Sequence, residues 1–494
     1  MLTIAILLGV ITLLYIWLKW NYSFWKRNKV PGPEPKPFVG NIGSMFTFSE
    51  HWGLVITGLY NKFSNQPYIG YYKLLKPAIV ARDPDLVKDI MITKFNSFRS
   101  NDFNVSKKHD ELTALNPFFT RDEEWKEGRK LITPVFSSSK LKNLMPVMNG
   151  VGTEFVEFIK SYQSNEDIVA KDLAMRFAVQ NLVKCAFSID PLCFNKETES
   201  EFMSNVKELF EPSFWAGLKF LVWPIVPKWA VDFIPIPFAS ATVDHFIRNL
   251  VASNKASRSD DVQRHDFFQL YLQFQKKYGF DDTTLSGHSL NLFAEGTETS
   301  NTALSFALYE LAITPNCQDK LFKEISDTLK KHNGQLTFEC LQEMVYLEGV
   351  VLETLRVHPA VLTFSRVCTE PYTLPKTDGQ KKPVTIQPDT PVTIPVQGIH
   401  MDPKYYPNAE RFTPERFIED QQLNRHKGMY FGFGEGPRIC PGQRFGVTQV
   451  KLALAYITQN FHIKLSPNHK PIVVDPQTFM AYPKDGILIR LEAR

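Results

Sequence analysis

The sequence predicts a mainly α-helical protein with a few small β-sheets, an α+β fold with one large domain. From about residue 120 to residue 360, apolar residues recur every three or four positions, as in WKEGRKLITPVF and QDKLFKEISDTLKKH. That period is typical of amphipathic helices. Short β-rich runs lie near 50–95 (QPYIGYYKL, PAIVAR) and again at 361–396, between Pro-rich turns. No Pro/Gly-rich boundary divides the middle of the chain, so we expect one domain rather than several.

The composition fits a large core and argues against a nucleic-acid partner. Of the 494 residues 44% are hydrophobic, and the formal net charge of +4 is small for this length. Six cysteines are scattered without a C-x-x-C spacing. This pattern argues against a disulfide scaffold or a zinc ribbon and favours a reducing compartment.

The N-terminus predicts a membrane anchor. The segment LTIAILLGVITLLYIWL (2–18) is apolar, and Lys19, Lys26, Arg27 and Lys29 follow it. A secretory signal peptide would carry its positive charge first, and the positive charges here keep the downstream end in the cytosol. We therefore expect an uncleaved signal-anchor transmembrane helix at 1–20; the alternative is a buried N-terminal helix.

After the anchor, the sequence predicts a linker and one large domain. Residues 21–37 are basic and carry prolines at 31, 33, 35 and 37, which predicts a stiff, extended linker. Residues 38–494 are then the cytosolic catalytic domain.

The stretch FGFGEGPRICPGQRF (431–445) surrounds one cysteine with glycines. Cys440 precedes the predicted helix VTQVKLALAYI (447–457), with Pro441 expected at its first position. A helix N-terminus favours a thiolate. Gly436 and Gly442 would leave room for a flat group, and Arg438 suits a bidentate grip on a carboxylate. Together they indicate haem iron with a cysteine ligand; the alternative is an inert buried cysteine.

This stretch resembles the haem loop of the cytochromes P450, F-x-x-G-x-R-x-C-x-G, which is matched by Phe433, Gly436, Arg438, Cys440 and Gly442. The resemblance runs from about residue 30 to the end and is strongest to insect microsomal members associated with detoxification. It implies haem b (iron protoporphyrin IX) as cofactor, with Cys440 as the iron ligand.

Two other motifs of the family concern charged residues in a fixed order. ETLR supplies Glu353 and Arg356, and PERF supplies Arg416. The resemblance implies that these three form a buried charge network beneath the haem. An E-x-x-R pair alone is more often an ordinary surface ion pair.

Further residues match those that contact the haem propionates in the family. WKEGR supplies Trp125 and Arg129, one helical turn apart, and Arg366 matches another propionate-binding arginine. The resemblance therefore adds these three to the cofactor-binding residues.

The segment LSGHSLNLFAEGTETSNTALSFALYELA (285–312) predicts a long apolar helix interrupted at AEGTETS, because a glycine inside such a helix is unfavourable. Oxygen activation needs protons delivered in a dry pocket. The resemblance assigns that delivery to Thr299 and Glu298, and a loosening of the helix to Gly296. A threonine that bonds back to a carbonyl and bends the helix is compatible with this.

Glu295 departs from the common family pattern, in which Ala or Gly stands there. A carboxylate is costly to bury unpaired, and its spacing from Thr299 places both on one helix face. The pair Glu295-Gly296 resembles the fatty-acid ω-hydroxylase group, whose matching glutamate becomes ester-linked to a haem methyl. Three hypotheses follow: such an ester in at least a fraction of molecules, pairing with a cationic, alkaloid-like substrate, or a turn aside to a helix partner.

The reaction implied by the resemblance is monooxygenation of a lipophilic small molecule, whether a xenobiotic, plant toxin, insecticide or endogenous lipid or hormone. It consumes O2 and electrons from NADPH, delivered by NADPH-cytochrome P450 reductase, with cytochrome b5 as a second candidate donor. No G-x-G-x-x-G fingerprint precedes a helix, consistent with an external donor. The expected location is the endoplasmic reticulum membrane, with the catalytic domain on the cytosolic side.

Two other functions compete with this one. The first is a reductase-independent haem-thiolate isomerase or dehydratase, against which the intact Glu298–Thr299 pair counts. The second is a non-enzymatic haem sensor, which would need neither a proton relay nor a substrate pocket.

Two surfaces are also predicted. The substrate pocket is expected to be lined by 103–120, 210–238, 361–365 and 478–483, and the apolar run at 214–229 either dips into the membrane or packs in the core. The reductase is expected to dock on basic residues near the haem loop, unless these are an ordinary solvated face: Lys126, Lys130, Arg425, Lys427 and Arg444.

Overall fold

The computed structural model describes residues 2–258, 264–418 and 429–494, and it confirms the predicted class: mostly helices with small sheets. The α-helices are α1 (Leu2–Tyr22), α2 (Phe24–Arg27), α3 (Gly43–Phe46), α4 (Trp52–Lys62), α5 (Pro84–Lys88), α6 (Glu111–Ala114), α7 (Asp122–Ile132), α8 (Ser138–Lys160), α9 (Ala170–Phe187), α10 (Glu201–Phe210), α11 (Phe214–Val222), α12 (Ala241–Ala256), α13 (Phe267–Tyr278), α14 (Asp282–Ile313), α15 (Pro315–Lys331), α16 (Phe338–Glu343), α17 (Val345–Val357), α18 (Val396–His400) and α19 (Gln443–Asn460).

The strands form three small sheets. They are β1 (Tyr68–Lys73), β2 (Lys76–Ala81), β3 (Ile168–Val169), β4 (Phe364–Val367), β5 (Tyr372–Thr373), β6 (Thr385–Ile386), β7 (Pro391–Ile394), β8 (Phe461–Leu465) and β9 (Leu488–Ala493). The strand orders are β1-β2-β7-β4, β3-β9-β8 and β5-β6. In the first sheet β4 runs antiparallel to β7 with Arg366 opposite Val392, which fixes the position of one predicted site residue.

Helix α14 runs through the core and packs against α6, α9, α12, α17 and α19. Its N-terminus is capped by Asp281, whose carboxylate accepts a 2.8 Å hydrogen bond from the Thr284 N–H. Residues on nearly every side of α14 are buried, as expected for a helix surrounded by others. This helix therefore positions the side chains of one whole wall of the site.

The predicted interruption of α14 at AEGTETS is wrong, because the helix is continuous through that segment. A Cβ added at Gly296 would lie 3.2 Å from the Leu182 side chain on α9. The glycine therefore permits close packing of α14 on α9 rather than a break. The Thr299 hydroxyl bonds back to the Glu295 carbonyl at 2.8 Å, so the expected back-bonding does occur.

Helix α1 is long and apolar enough to cross a bilayer. Its side chains are exposed over residues 2–20 apart from Leu18, so α1 is not the buried N-terminal helix of the alternative. The segment after it packs along β1: the Trp25 indole donates to the Tyr71 carbonyl at 2.9 Å, and the Gly70 N–H donates to the Pro31 carbonyl at 2.9 Å. The proline-rich linker is therefore held against the first sheet.

Candidate active site

The cysteine loop is shaped by backbone hydrogen bonds. The Cys440 N–H donates to the Phe433 carbonyl at 2.9 Å, and Gly434 and Gly436 adopt positive φ angles of 75° and 72°. Helix α19 begins only at Gln443, with Gly442 as its N-cap residue. The prediction of Pro441 at the first helical position is therefore wrong, and Cys440 lies three residues before the helix.

The two glycines of the motif have different surroundings. Gly442 lines the cavity next to the cysteine, and a Cβ added there would lie 3.9 Å from Sγ of Cys440. A Cβ at Gly436 would lie 2.0 Å from the Met91 carbonyl oxygen, and Gly436 is not among the residues that line the cavity. Close approach of the backbone to Met91, not room for a flat group, therefore requires a glycine at this position.

A large cavity separates the cysteine loop from α14 and encloses about 1580 Å³ of atom-free space, including its mouth. Its walls are largely apolar, with contributions from α7, α14, α17 and α19. It brings together ten of the predicted site residues: Trp125, Arg129, Glu295, Gly296, Thr299, Arg366, Phe433, Arg438, Cys440 and Gly442.

The Cys440 side chain is exposed to this cavity, while the protein on its other sides keeps water away from the thiol. Burial raises the pKa of the Cys440 thiol to about 11, while the Gly442 N–H and the Arg129 guanidinium oppose the rise. The helix-end effect predicted for this thiol is therefore outweighed by desolvation. A bound metal cation would instead favour the thiolate form of Cys440, since cysteine ligands are deprotonated when they coordinate a metal.

Arg438 belongs to a group of neighbouring arginines, of which Arg366 is buried and the others are half-buried. Desolvation, together with Arg366, Arg121 and Arg129, lowers the pKa of the Arg438 guanidinium to about 8. Its nitrogens donate to three backbone carbonyls, those of Arg99 at 2.6 Å, Pro117 at 2.9 Å and Thr120 at 2.9 Å. In this structure Arg438 therefore clamps the segment 99–120 instead of facing a carboxylate.

Arg366 and Arg129 are less completely satisfied. Arg366 is buried and donates to the Asn101 amide oxygen at 2.6 Å, but its Nε has no hydrogen-bond partner within the described residues. Burial lowers the pKa of the Arg129 guanidinium, which forms no ion pair in that part of the chain. Trp125 lies beside them, with its ring 4.7 Å from the Arg438 guanidinium carbon.

These cations suit the haem that the sequence predicts. Buried guanidinium groups without carboxylate partners are costly unless an anion neutralises them. A thiol beside them supplies a soft ligand for iron, and the apolar walls suit a flat macrocycle. The residues present therefore fit a haem, with Arg366 and Arg129 better placed than Arg438 to take its carboxylates.

The opposite wall carries Glu295 and Thr299 from α14. The Asn116 amide donates to Oε1 of Glu295 at 2.5 Å. The Glu295 side chain is exposed to the cavity, and the protein packed around it raises the pKa of its carboxyl by desolvation, which the Asn116 hydrogen bond opposes. Of the three expected roles of Glu295, a turn toward a neighbouring residue is thus present, although the partner lies on a loop and not on a helix.

Glu298 lies on a different side of α14 and is not among the residues that line the cavity. Its side chain is fully buried, and neither carboxylate oxygen has a hydrogen-bond partner within the described residues. Burial raises the pKa of the Glu298 carboxyl, while Lys171, Tyr482 and Asn301 oppose the rise. The consecutive residues Glu298 and Thr299 therefore face different surroundings.

The charged residues of ETLR and PERF meet beneath the cysteine loop. The Arg356 guanidinium binds both oxygens of Glu353, at 2.7 and 2.8 Å, and both side chains are fully buried. Arg416 donates to the same carboxylate at 3.3 Å. Arg356 also donates to the His400 and Ala409 carbonyls, each at 2.8 Å. This is a buried network rather than a surface ion pair.

Sequence reasoning missed His400, which connects that network to the cysteine loop. Its Nε2 accepts a 2.8 Å hydrogen bond from the Phe431 N–H, so the ring proton is on Nδ1, 3.1 Å from the Arg356 carbonyl. Desolvation and the Arg356 charge lower the pKa of His400 to about 3. No local pattern marks this residue, because both partners are distant in sequence.

The predicted pocket segments divide between two cavities. Segments 103–120 and 361–365 contribute to the cavity above Cys440, through residues such as Phe118 and Val361. Segments 210–238 and 478–483 line a second cavity, through residues such as Pro224 and Phe479, and the other two segments also contribute to it, through Phe103 and Leu362. Val361 lines both, so the two cavities adjoin.

The predicted reductase surface is only partly described, because Arg425 and Lys427 lie outside the described residues. Lys126 and Lys130 are exposed on α7, but each forms an ion pair three residues back, with Glu123 at 2.6 Å and Glu127 at 2.8 Å. Arg444 is exposed near the start of α19. The basic character of this face is therefore weaker than the lysines alone suggest.

Comparison with known proteins agrees with the geometry. The family model described as Cytochrome P450 matches residues 30–490. The chain is 32% identical to Probable cytochrome P450 28d1 of Drosophila melanogaster, over 98% of this chain and 97% of the relative. It is 31% identical to Cytochrome P450 6B2 of Helicoverpa armigera, over 99% and 98%. It is 32% identical to Probable cytochrome P450 6a13 of Drosophila melanogaster, over 100% and 99%.

Proposed function

The chain belongs to the cytochrome P450 family, and we propose that it is a membrane-anchored monooxygenase that inserts one oxygen atom from O2 into lipophilic small molecules. The observation that carries this proposal is a single arrangement: Cys440 faces a largely apolar cavity, and the arginines that line it, Arg129, Arg366 and Arg438, form no ion pair within the described residues. That cavity combines an iron ligand, counter-ions for an anionic macrocycle and space for an apolar substrate.

Haem b would supply the iron chemistry that activates O2 and transfers one oxygen atom to the substrate. Cys440 would hold the iron, and the cations and Trp125 along the cavity edge would hold the carboxylates. Phe433 holds the cysteine loop through its carbonyl, which accepts the Cys440 N–H, and lines the same cavity. The surrounding apolar walls exclude water from the substrate and strengthen every electrostatic interaction inside.

The residues of α14 on the wall opposite Cys440 would deliver protons to the cavity. The Thr299 hydroxyl now donates to the Glu295 carbonyl, and a rotation about χ1 would turn its proton toward the cavity. Glu298, with its pKa raised by burial, retains its proton at neutral pH more readily than an exposed carboxyl. We propose that Glu298 stores protons and Thr299 presents them on the cavity side, with Gly296 allowing α14 to pack closely beneath them.

The partners follow from the family and from helix α1. We propose that NADPH-cytochrome P450 reductase supplies the electrons, that cytochrome b5 is a second donor, and that α1 anchors the chain in the endoplasmic reticulum with its catalytic domain, residues 38–494, in the cytosol. Apolar pockets discriminate weakly between similar molecules. A broad range of xenobiotics, plant toxins or insecticides, or an endogenous lipid or hormone, is therefore the proposed substrate range.

Glu295 offers one covalent possibility as well, an ester to a haem methyl: during turnover the O2-dependent chemistry would oxidise the methyl by two electrons, its carbon would lose a hydrogen and bond to the carboxyl oxygen, and the carboxyl would release its proton. The residue lines the cavity on the same side of α14 as Thr299, so its carboxyl would be accessible to a group bound there. Mass spectrometry under denaturing conditions after turnover separates the alternatives: haem that stays with the wild-type chain but leaves Glu295→Ala supports the ester, and complete release from both excludes it.

Replacing Cys440 with Ala tests the proposed function. The reduced wild-type protein treated with carbon monoxide should show the red-shifted Soret band that gives the family its name, and Cys440→Ala should lose both this band and turnover. Cys317→Ala is the matched control, because Cys317 is only partly buried and lies outside the cavity. Turnover that survives in Cys440→Ala would refute the assignment.

NADPH consumption separates the competing functions. A monooxygenase should consume NADPH with reconstituted reductase when a substrate is present. A reductase-independent isomerase or dehydratase should turn over without NADPH, and a sensor should bind haem without turnover.

A further inference from the structure

A line of polar side chains crosses the wall of the cavity opposite Cys440. Asn291, Glu295 and Thr299 are spaced four residues apart on α14, and all three line the cavity. Residues at this spacing lie one above another on one helix face. The line is unusual because the surrounding wall is largely apolar, including Leu292, Ala303 and Leu355.

Glu295 carries an unbalanced negative charge when it is ionised. Among the described residues that line the cavity it is the one carboxylate, and it forms no ion pair there. The arginines that line the cavity form no ion pair with it within the described residues. An isolated carboxylate in an apolar cavity is costly, and an opposite charge within about 4–6 Å is what would stabilise it.

Asn116 holds this carboxylate in one orientation. The Phe118 N–H donates to the Asn116 amide oxygen at 2.7 Å, which leaves the amide nitrogen to donate to Oε1 of Glu295 at 2.5 Å. Oε1 is therefore engaged, and Oε2 has no hydrogen-bond partner in the described part of the chain. One carboxylate oxygen is held in place and the other is available to a ligand.

Asn291 supplies a second, independent sign of a polar ligand. Its side chain is 3% exposed, and its Nδ2 has no hydrogen-bond partner among the described residues. A buried amide donor without an acceptor costs about 1–3 kcal/mol. The same helix face thus carries an unused donor at Asn291 and an unused acceptor at Glu295.

We propose that Glu295 is the counter-ion for a cationic nitrogen of the substrate, with Asn116 as a positioning residue and Asn291 as a donor to an oxygen of the same substrate. The ligand class is an organic cation with an apolar body, such as a tertiary or quaternary amine. This inference rests on the proposed function and specifies the substrate class of that site.

A matched pair of probes tests the charge alone. Phenylbutyl-trimethylammonium and its neutral isostere, in which carbon replaces nitrogen, have the same shape, and neither can ligate iron. Binding to the purified full-length haem protein is measured by equilibrium dialysis. Close charge pairs in desolvated sites contribute enough that we expect the cation to bind at least about tenfold more tightly than the isostere.

Three variants test whether Glu295 causes the tighter binding of the cation. Glu295→Gln should abolish it, and Asn116→Ala should reduce it without abolishing it, because the carboxylate then keeps its charge but loses its orientation. Glu208→Gln is the matched control: it makes the same change at an exposed position on α10, which packs against α14 outside the cavity. It should keep the full preference.

Three outcomes would overturn the inference. They are a wild-type protein with an intact carbon monoxide spectrum but no preference for the cation, a preference that persists in Glu295→Gln, and haem bound covalently through Glu295, which would remove the charge. A wild-type protein without the carbon monoxide spectrum would overturn the proposed function itself, and this inference with it.

Discussion

Thr299 is the residue whose replacement best separates oxygen chemistry from folding. Its hydroxyl donates to the Glu295 carbonyl at 2.8 Å and lies on the cavity face of α14. Thr299→Ala should keep haem binding but uncouple the reaction, because general acid catalysis by a positioned group contributes about 10²–10⁴-fold. We expect NADPH to be consumed with a several-fold fall in product and a matching release of hydrogen peroxide.

Thr302→Ala is the matched control for this prediction. Thr302 also bonds back along α14, to the Glu298 carbonyl at 2.9 Å, but it is fully buried and does not line the cavity. Product formed per NADPH should stay near the wild-type value in this variant. Unchanged coupling in Thr299→Ala would show that protons reach the cavity by another path.

His400 makes the stability of the protein depend on pH. Its pKa falls from 6.5 to about 3 on folding, because burial and the Arg356 charge disfavour the protonated ring. Between these values the unfolded chain binds a proton at this position and the folded chain does not. The free energy of unfolding should therefore decrease as pH falls through this window, by up to about 1.4 kcal/mol per pH unit for this group.

Urea unfolding at several pH values within that window tests the His400 prediction. His400→Gln should reduce the slope of unfolding free energy against pH, since it removes the titrating ring. His245→Gln is the control, because His245 is exposed, and it should leave the slope unchanged. Equal slopes in all three proteins would contradict this account.

At the level of elements, the local pattern predicts most helices but not their exact ends. The apolar period indicates α14, yet whether a glycine breaks a helix or admits a neighbour depends on Leu182, more than a hundred residues earlier. The start of α19 at Gln443 likewise depends on the cysteine loop, whose hydrogen bonds position Pro441 outside the helix.

Sequence motifs identify residues that perform chemistry. They do not identify Asn116 or His400, which act through contacts formed only in three dimensions.

Helix α7 presents the lysines of the predicted reductase surface. Because Lys130 is exposed and already paired with Glu127, its attraction for a partner is partly compensated, whereas Arg444 is exposed without such a pair in the described residues. Reversing both charges, with Lys130→Glu and Arg444→Glu, should raise the reductase concentration needed for half-maximal turnover several-fold at low salt. The effect should fade as salt rises, since the screening length falls from about 10 Å at 0.1 M to about 3 Å at 1 M.

The control for the reductase surface reverses two lysines elsewhere. Lys160 and Lys330 are exposed and form ion pairs with acidic residues three positions earlier, as Lys130 does. Lys160→Glu with Lys330→Glu should leave the reductase requirement and its salt dependence unchanged. The same salt dependence in wild type and in the Lys130, Arg444 variant would count against docking on this face.

On the scale of the whole molecule, the second cavity and an exposed aromatic patch lie together. We give the name aromatic patch to the exposed aromatic side chains of one segment, Phe214, Trp215, Trp229 and Phe233, which are 59–79% exposed. Phe48 and Gly217 line the second cavity, and the Phe48 ring packs 6.1 Å from that of Phe214. If this segment contacts a bilayer, a lipophilic molecule dissolved there would meet the protein beside the second cavity, which adjoins the cavity above Cys440.

If the aromatic patch contacts the bilayer, the protein should bind membranes without its anchor. A chain lacking residues 2–17, none of which is buried, should still sediment with phospholipid vesicles, because burying large apolar side chains contributes about 1.5–3 kcal/mol each. Replacing Phe214, Trp215, Trp229 and Phe233 with Ser in that chain should lower the vesicle partition constant at least about tenfold. The control replaces four exposed apolar residues outside the patch with Ser: Leu192, Ile313, Val345 and Val473. Equal partition constants for the two quadruple variants would show that the aromatic patch does not contact the membrane.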